Sequence, residues 1–311
     1  MCPKGVHQLV HYHLPPRLAT GARVALVAPA GPLKDQRELE RAESNVRKLG
    51  WEPVAGDHVL EKRGYLAGTD SQRTDDLNRA IRDPTIDGIW CVRGGYGVLR
   101  VLQDIDFQAL RRAPKALIGF SDITALHAAA GTHARMISYH GPNSSRPISD
   151  FSLASLQRAL VTGENSAGTA AEAEVLTGGT ARGRLAGGNL ALLTALAGTP
   201  YFPELEGVIL VLEDVNEPVY RIDRMLRQLR LTGALGRVAG LLFGAFTERG
   251  DEGESLTLAQ VLRETAEAVR VPCLAGIPLG HIADQWTLPL GAVAELDAGR
   301  RCLTIEHSPH A

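Results

Sequence analysis

The chain has 311 residues and a formal net charge of −2, with 44% hydrophobic and 5% aromatic residues. That length suggests two domains with sizeable cores. The near-neutral balance and scarce rings argue against a nucleic-acid partner, an anionic membrane surface or a stacking platform for single strands. Cys2, Cys91, Cys273 and Cys302 form no C-x-x-C pair and no zinc spacing. Free thiols in a reducing cytoplasm are the expectation, with Cys91 and Cys273, which lie in apolar runs, as buried small hydrophobes. The first residues, "MCPKGVHQLVHYHLPPRLATG", contain no apolar h-region, and no run approaches the roughly 20 apolar residues of a spanning helix. His7, His11 and His13 would suggest a metal, but on a polar terminus they read as incidental.

In chain order, residues 1–20 read as an N-terminal extension. "RVALVAPAG" (23–31) reads as a buried strand ending in a Pro/Gly turn. "DQRELERAESNVRKLG" (35–50) is a helix with Gly50 as its stop, and "TDSQRTDDLNRAIRD" (69–83) is a second with Pro84 beyond its end. "IDGIWCVRGGYG" (86–97) is a strand running into a glycine turn, "GVLRVLQDI" a helix, and "ALIGF" (116–120) the next strand. Such alternation predicts a parallel sheet covered on both faces, with ligands beyond the carboxyl ends of the strands. The Gly/Ala/Thr-rich stretch before residue 189 has no sustained period and reads as a crossover. Domain limits are therefore set at 21–160 for an N-terminal α/β domain, 161–184 for a linker and 185–311 for a C-terminal domain. In the latter, "NLALLTALAGTP" is a helix, "GVILVLEDVNEP" (207–218) a strand followed by an acidic loop, "YRIDRMLRQLRLTGAL" (220–235) a helix and "VAGLLFGAF" a strand. Another helix and a β-rich end of short strands and turns follow.

Several positions carry chemistry. Ser121 sits on a strand–turn–helix corner, in "GFSDI". As Ser-Asp at a helix start it is a cap; as a partial nucleophile elbow, with Ile123 in place of the last glycine, it is a nucleophile. A serine nucleophile needs a base and an orienting group. His281, in "IPLGHIADQW", is either a solvated loop histidine or that base. Glu213 ends a strongly apolar strand, where a carboxylate is costly unless paired; it is either salt-bridged to Arg221 or Arg224 or functional. "VRGGYG" (92–97) lacks the dinucleotide fingerprint. It is either a tight turn or a backbone brought close to a substrate, with an N–H of Gly94 or Gly95 joining that of Asp122 around an oxyanion. His140, in "SYHGPN", reads as structural.

Taken in order, "VRGGYG", "LIGFSDITALH", "YHGPN", "LEDVNEPVYRIDRML" and "GIPLGH" resemble the LD-carboxypeptidases, serine peptidase family S66, from about Arg23 to about Ala298. The resemblance implies a Ser-Glu-His triad of Ser121, Glu213 and His281, with oxyanion donors from Gly94 or Gly95 and from Asp122. It implies an N-terminal Rossmann-like or flavodoxin-like domain, a smaller mixed C-terminal domain supplying Glu and His, a cleft between them, and a homodimer. It implies a cytoplasmic enzyme without cofactor or metal that removes D-alanine from murein tetrapeptide during peptidoglycan recycling. A carboxylate-bearing substrate calls for an arginine, for which Arg93 is nominated. The family's microcin-immunity branch offers an alternative, an amide hydrolase acting on aminoacyl-adenylates. A non-catalytic Rossmann-like binding protein is the reading from another class. Residues 144–184 match nothing in the family.

Overall fold

Alternating apolar runs and amphipathic charged segments fold as strands and helices in turn. The computed structural model describes residues 12–248 and 256–306. Its first half comprises β1 (Arg23–Val27), α1 (Gln36–Lys48), β2 (Glu52–Ala55), α2 (Asp70–Arg82), β3 (Gly88–Cys91), α3 (Val98–Val101), α4 (Phe107–Arg112), β4 (Ala116–Gly119), α5 (Thr124–Ala129), β5 (Ser138–His140) and α6 (Asp150–Gln157). α1, α2, α4 and α6 start where short polar side chains satisfy free N–H groups. Asp35 accepts from Glu38 N, and Thr69 and Gln72 form a reciprocal capping box.

β1 pairs in parallel with β2 and β3, β3 with β4, and β4 with β5. The resulting order, β2-β1-β3-β4-β5, is flavodoxin-like. The central strands β3 and β4, and β1 after Arg23, are apolar and buried because helices cover both faces. The carboxyl ends of β1, β3 and β4 lead into Pro29–Gly31, the glycine corner and Ser121, so one rim of the sheet gathers the polar turns.

The second half comprises β6 (Glu174–Thr177), β7 (Thr180–Asn189), α7 (Leu190–Leu196), β8 (Ile209–Glu217), α8 (Val219–Leu231), β9 (Gly240–Glu248), α9 (Leu258–Val269), β10 (Cys273–Ala275), β11 (Leu288–Leu290), β12 (Val293–Asp297) and β13 (Cys302–Ile305). Seven of these strands form a mixed sheet, β13-β12-β7-β8-β9-β10-β6, with β7 to β10 parallel. The eleventh strand goes elsewhere. β11 lies antiparallel to β5, with Leu288 opposite His140, and completes the first sheet as its sixth strand. The fold is thus α/β: a parallel-sheet N-terminal domain and a mixed C-terminal domain with a β-rich end.

Three expectations need correction. The linker 161–184 holds β6 and the start of β7, whose mixture of Gly, Ala and Thr hid the strand pattern. The acidic loop after "GVILVL" is the continuation of β8. Residues 12–20 are packed against the first domain: Leu18 is buried, Leu18 N donates to Leu160 O at 2.9 Å, and Trp51 Nε1 donates to Leu18 O at 3.3 Å. His7 and His11 lie outside the described residues. Cys91 and Cys273 are buried, and burial pushes both thiols up, that of Cys273 to about 12. Among the described residues, no helix is long and apolar enough to cross a membrane.

Candidate active site

β4 ends at Gly119, and the chain turns at once through a 3-10 turn, Ser121–Ile123, into α5. Ser121 takes φ +68°. A left-handed conformation costs a non-glycine residue on the order of 1–2 kcal/mol, so its surroundings must impose it. Phe120 N donates to Asn143 Oδ1 at 3.2 Å. The Gly119 carbonyl accepts from His127 Nε2 at 2.8 Å and from Gly141 N at 3.2 Å. Donation from Nε2 leaves His127 Nδ1 as the acceptor for Ser138 Oγ, 2.9 Å away. Burial holds His127 down at about 4 and His140 at about 3, so both rings are neutral near pH 7. His140 packs against Phe120 with ring centroids 5.9 Å apart, in keeping with a structural part. Among the described residues, the Ser121 hydroxyl faces His281 Nε2, 3.2 Å away, and not a backbone N–H of the helix it precedes.

The glycine corner presses on the serine. A Cβ on Gly94 would lie 2.7 Å from Ser121 Cβ, closer than two carbons can sit. Gly31 N donates to Gly94 O at 3.0 Å, and the buried Arg73 donates to Gly97 O at 2.9 Å and to Pro29 O. Asp122, itself buried, accepts from Val98 N at 2.8 Å and so ties the serine turn to the start of α3. Burial raises its carboxyl to about 6. Arg93, beside the corner, is part-exposed and lies 3.6 Å from Glu38.

Glu213 and His281 come from the other half of the chain. Glu213, on β8, is fully buried, and its Oε2 accepts from His281 Nδ1 at 2.8 Å. That bond leaves Nε2 as the acceptor facing Ser121 Oγ, 3.2 Å away. The arginines expected as alternative partners are engaged elsewhere: Arg221 pairs with Glu217 at 2.9 Å, and Arg224 lies over the Tyr220 ring. Glu213 Oε1 has no hydrogen-bond partner among the described residues, so the imidazole is the polar group answering this buried side chain. Gly280, at φ +105°, presses the carboxylate from the histidine side; a Cβ there would come within 2.9 Å of Glu213 Cβ. The His281 ring also packs on Phe120, centroids 4.7 Å apart.

The structure therefore brings Ser121, Glu213 and His281 into one hydrogen-bonded relay, with Gly94 and Asp122 beside the serine. Sequence reasoning passed over the residues that brace them. Asp214 follows Glu213 as Asp122 follows Ser121; it accepts from Ala191 N at 3.0 Å, Asn189 Nδ2 at 2.9 Å and Val215 N at 2.8 Å. Burial raises it, too, to about 6. A second carboxylate after an apolar run was a usable signal for Asp214. Asn143 has none, since its partner is a backbone N–H remote in sequence, and Arg73 pairs locally with Asp70 while its bonds to the corner go to remote carbonyls.

Two family models match the chain: the LD-carboxypeptidase N-terminal domain over residues 24–141 and the LD-carboxypeptidase C-terminal domain over residues 182–296. The chain belongs to the LD-carboxypeptidase family. Among LD-carboxypeptidase relatives, it is 40% identical to a putative carboxypeptidase of Streptomyces coelicolor, over 94% of this chain and 96% of that one. It is 37% identical to the murein tetrapeptide carboxypeptidase of Pseudomonas aeruginosa, over 89% and 94%. The microcin C7 self-immunity protein superposes with a TM-score of 0.86 over 95% of this chain and 99% of that one, at 23% identity, which is a likeness of fold. This LD-carboxypeptidase is an enzyme of the carboxypeptidase class.

Proposed function

We propose that this protein is a serine LD-carboxypeptidase that releases the terminal D-alanine from L-Ala-γ-D-Glu-meso-diaminopimelate-D-Ala in cytoplasmic peptidoglycan recycling. The observation that carries the reading is the relay from Ser121 Oγ through His281 to Glu213, at 3.2 and 2.8 Å. Ser121 Oγ attacks the carbonyl carbon of the L-D peptide bond while His281 Nε2 takes its proton. Glu213 holds the imidazole in the Nδ1–H form and stabilises the imidazolium. The N–H groups of Asp122 and of Gly94 or Gly95 receive the oxyanion; one such donor is worth roughly 3 kcal/mol. Collapse breaks the C–N bond, and His281 returns its proton to the departing amine of D-alanine. A water molecule, deprotonated by His281, then hydrolyses the ester and regenerates Ser121. Arg93 is offered as the partner of a substrate carboxylate, because its loose pairing with Glu38 leaves guanidinium donors free. The protein acts as a homodimer in this reading, which sedimentation equilibrium would test.

The test is mass spectrometry of the tetrapeptide after incubation with wild type and with Ser121→Ala. Loss of one alanine in wild type alone is expected. No cleavage by folded wild type would overturn the substrate assignment. The microcin self-immunity protein, of like fold, has been solved in complex with aspartyl sulfamoyl adenosine, which supports an aminoacyl-adenylate as the companion test compound; turnover of that compound and not of the peptide would favour the adenylate reading.

A further inference from the structure

The loop that carries His281 is held by a helix from the other half of the chain. Its neck is closed by Trp286 N donating to Pro278 O at 2.7 Å. Beyond the histidine, residues 282–287 run without a strand partner, so their backbone groups need other acceptors and donors. Serines of α6 and its cap supply them. Ser149, Ser152 and Ser155 recur every three residues and so share one face of the helix. Ser152 Oγ accepts from Gln285 N at 2.8 Å and donates to Ala283 O at 3.0 Å. Ser149 Oγ caps the helix at Ser152 N and lies 3.2 Å from the same Ala283 carbonyl. Ser155 Oγ accepts from Thr287 N at 2.8 Å and donates to Ser166 O at 2.6 Å. Ser166 Oγ donates in turn to Thr287 O at 2.6 Å. Ser152 and Ser155 have no exposed surface. β11 then starts at once, pinned to β5.

These hydroxyls bond the backbone of the loop just after His281, whereas Glu213 bonds the imidazole itself. Ala283 is two residues from His281, and Gly280 is the residue before it. The imidazole is therefore held by Glu213, on the mixed sheet, and the backbone that carries it by the serine face of α6. Its Nε2 stands 3.2 Å from Ser121 Oγ, at the long end of a hydrogen bond, where a small displacement breaks contact. Misplacing a reacting group by about 1 Å can cost on the order of 100-fold in rate.

We propose that Ser152, with Ser155 behind it, is a positioning residue for the reaction: its hydroxyl fixes the 283–285 backbone and through it the distance from His281 to Ser121. This rests on the reading of His281 as the general base. The test compares wild type, Ser152→Ala, Ser155→Ala and His281→Ala for D-alanine release from the tetrapeptide, with 15N spectra of the histidine rings and thermal melts. Ser152→Ala is expected to fold, keep KM within about twofold, and lose about tenfold or more in kcat. Its His281 resonances should move from the Nδ1–H form towards a mixture of tautomers, a change that a purely structural serine would not produce. Unchanged kcat and unchanged His281 resonances in folded Ser152→Ala would overturn the proposal. If Ser152→Ala fails to fold, Ser155→Ala carries the same two readouts, and the same outcomes support or overturn the proposal. Full activity in His281→Ala would instead sink the reading of the base, while an inactive His281→Ala beside a fully active Ser152→Ala sinks this inference alone. If wild type does not cleave the peptide, the ring resonances decide.

Discussion

The nucleophile corner and the histidine loop solve the same problem by opposite means. Ser121 is fixed by abutting backbone: a strained φ of +68°, a glycine whose missing Cβ lets the corner abut the serine, and a neighbouring aspartate that ties the turn to the start of α3. His281 is fixed at long range, by Glu213 sixty-eight positions earlier and by Ser152 more than a hundred positions earlier. A corner built from abutting backbone tolerates little substitution at the positions that meet there. A loop held by remote hydroxyls is sensitive at the positions that hold it.

The sharpest way to break this comparison is at the relay itself. Ser121→Ala is expected to lose three orders of magnitude or more in kcat, roughly as in other serine triads. Ser121→Gly should be equally inactive yet more stable by about 1 kcal/mol, because glycine accepts the left-handed backbone. A destabilised Ser121→Gly, by denaturant melts, would mean that the corner is not strained. Next in size is Gly94→Ala, where the added methyl must displace Ser121. A loss of about 100-fold in kcat is expected with only a modest fall in Tm, and near-native turnover would show that the corner can yield.

Asp122 offers a pH test. Its carboxyl is raised from 3.8 to about 6, so the folded state holds that proton more tightly than the unfolded chain does. The cost of the buried charge is therefore absent below about pH 4, grows as pH rises, and is complete above about pH 6. Asp122→Asn keeps an acceptor for Val98 N and removes the charge. It should be more stable than wild type above pH 6, by roughly 3 kcal/mol at most, with the gap closing below pH 4. A gap that does not depend on pH would refute the buried-charge account. The smallest effect is expected at Tyr96, which is exposed and packs edge-on against Tyr65 with centroids 5.6 Å apart. Tyr96→Ala should leave kcat within about threefold of wild type, since an exposed ring contributes little to the corner's rigidity. A larger fall would extend the nucleophile side to its rim.

The same contrast explains what the sequence made legible. "VRGGYG" and "GFSD" are contiguous because the corner is contiguous, and the apolar run before Glu213 marked a carboxylate that had to be paired. The helices at 35–50 and 69–83 were legible from their stops at Gly50 and Pro84. The serine face of α6 was not, because a helix beginning "DFSLAS" buries polar residues where a pattern of apolar ones is sought. β11 was hidden for a related reason. Its residues, "LPL", are ordinary, and only the partner it chose, β5, gives them meaning.

That choice of partner has a consequence for how the protein is made. The parallel sheet under Ser121 is complete only when residues 288–290 lie along its edge. During synthesis the first half emerges with β5 exposed as an unpaired edge, which must wait for almost the whole of the second half to leave the ribosome. The strand that closes this edge follows the histidine loop directly, so a chain that stops short of that loop lacks both the base and the strand that seats it.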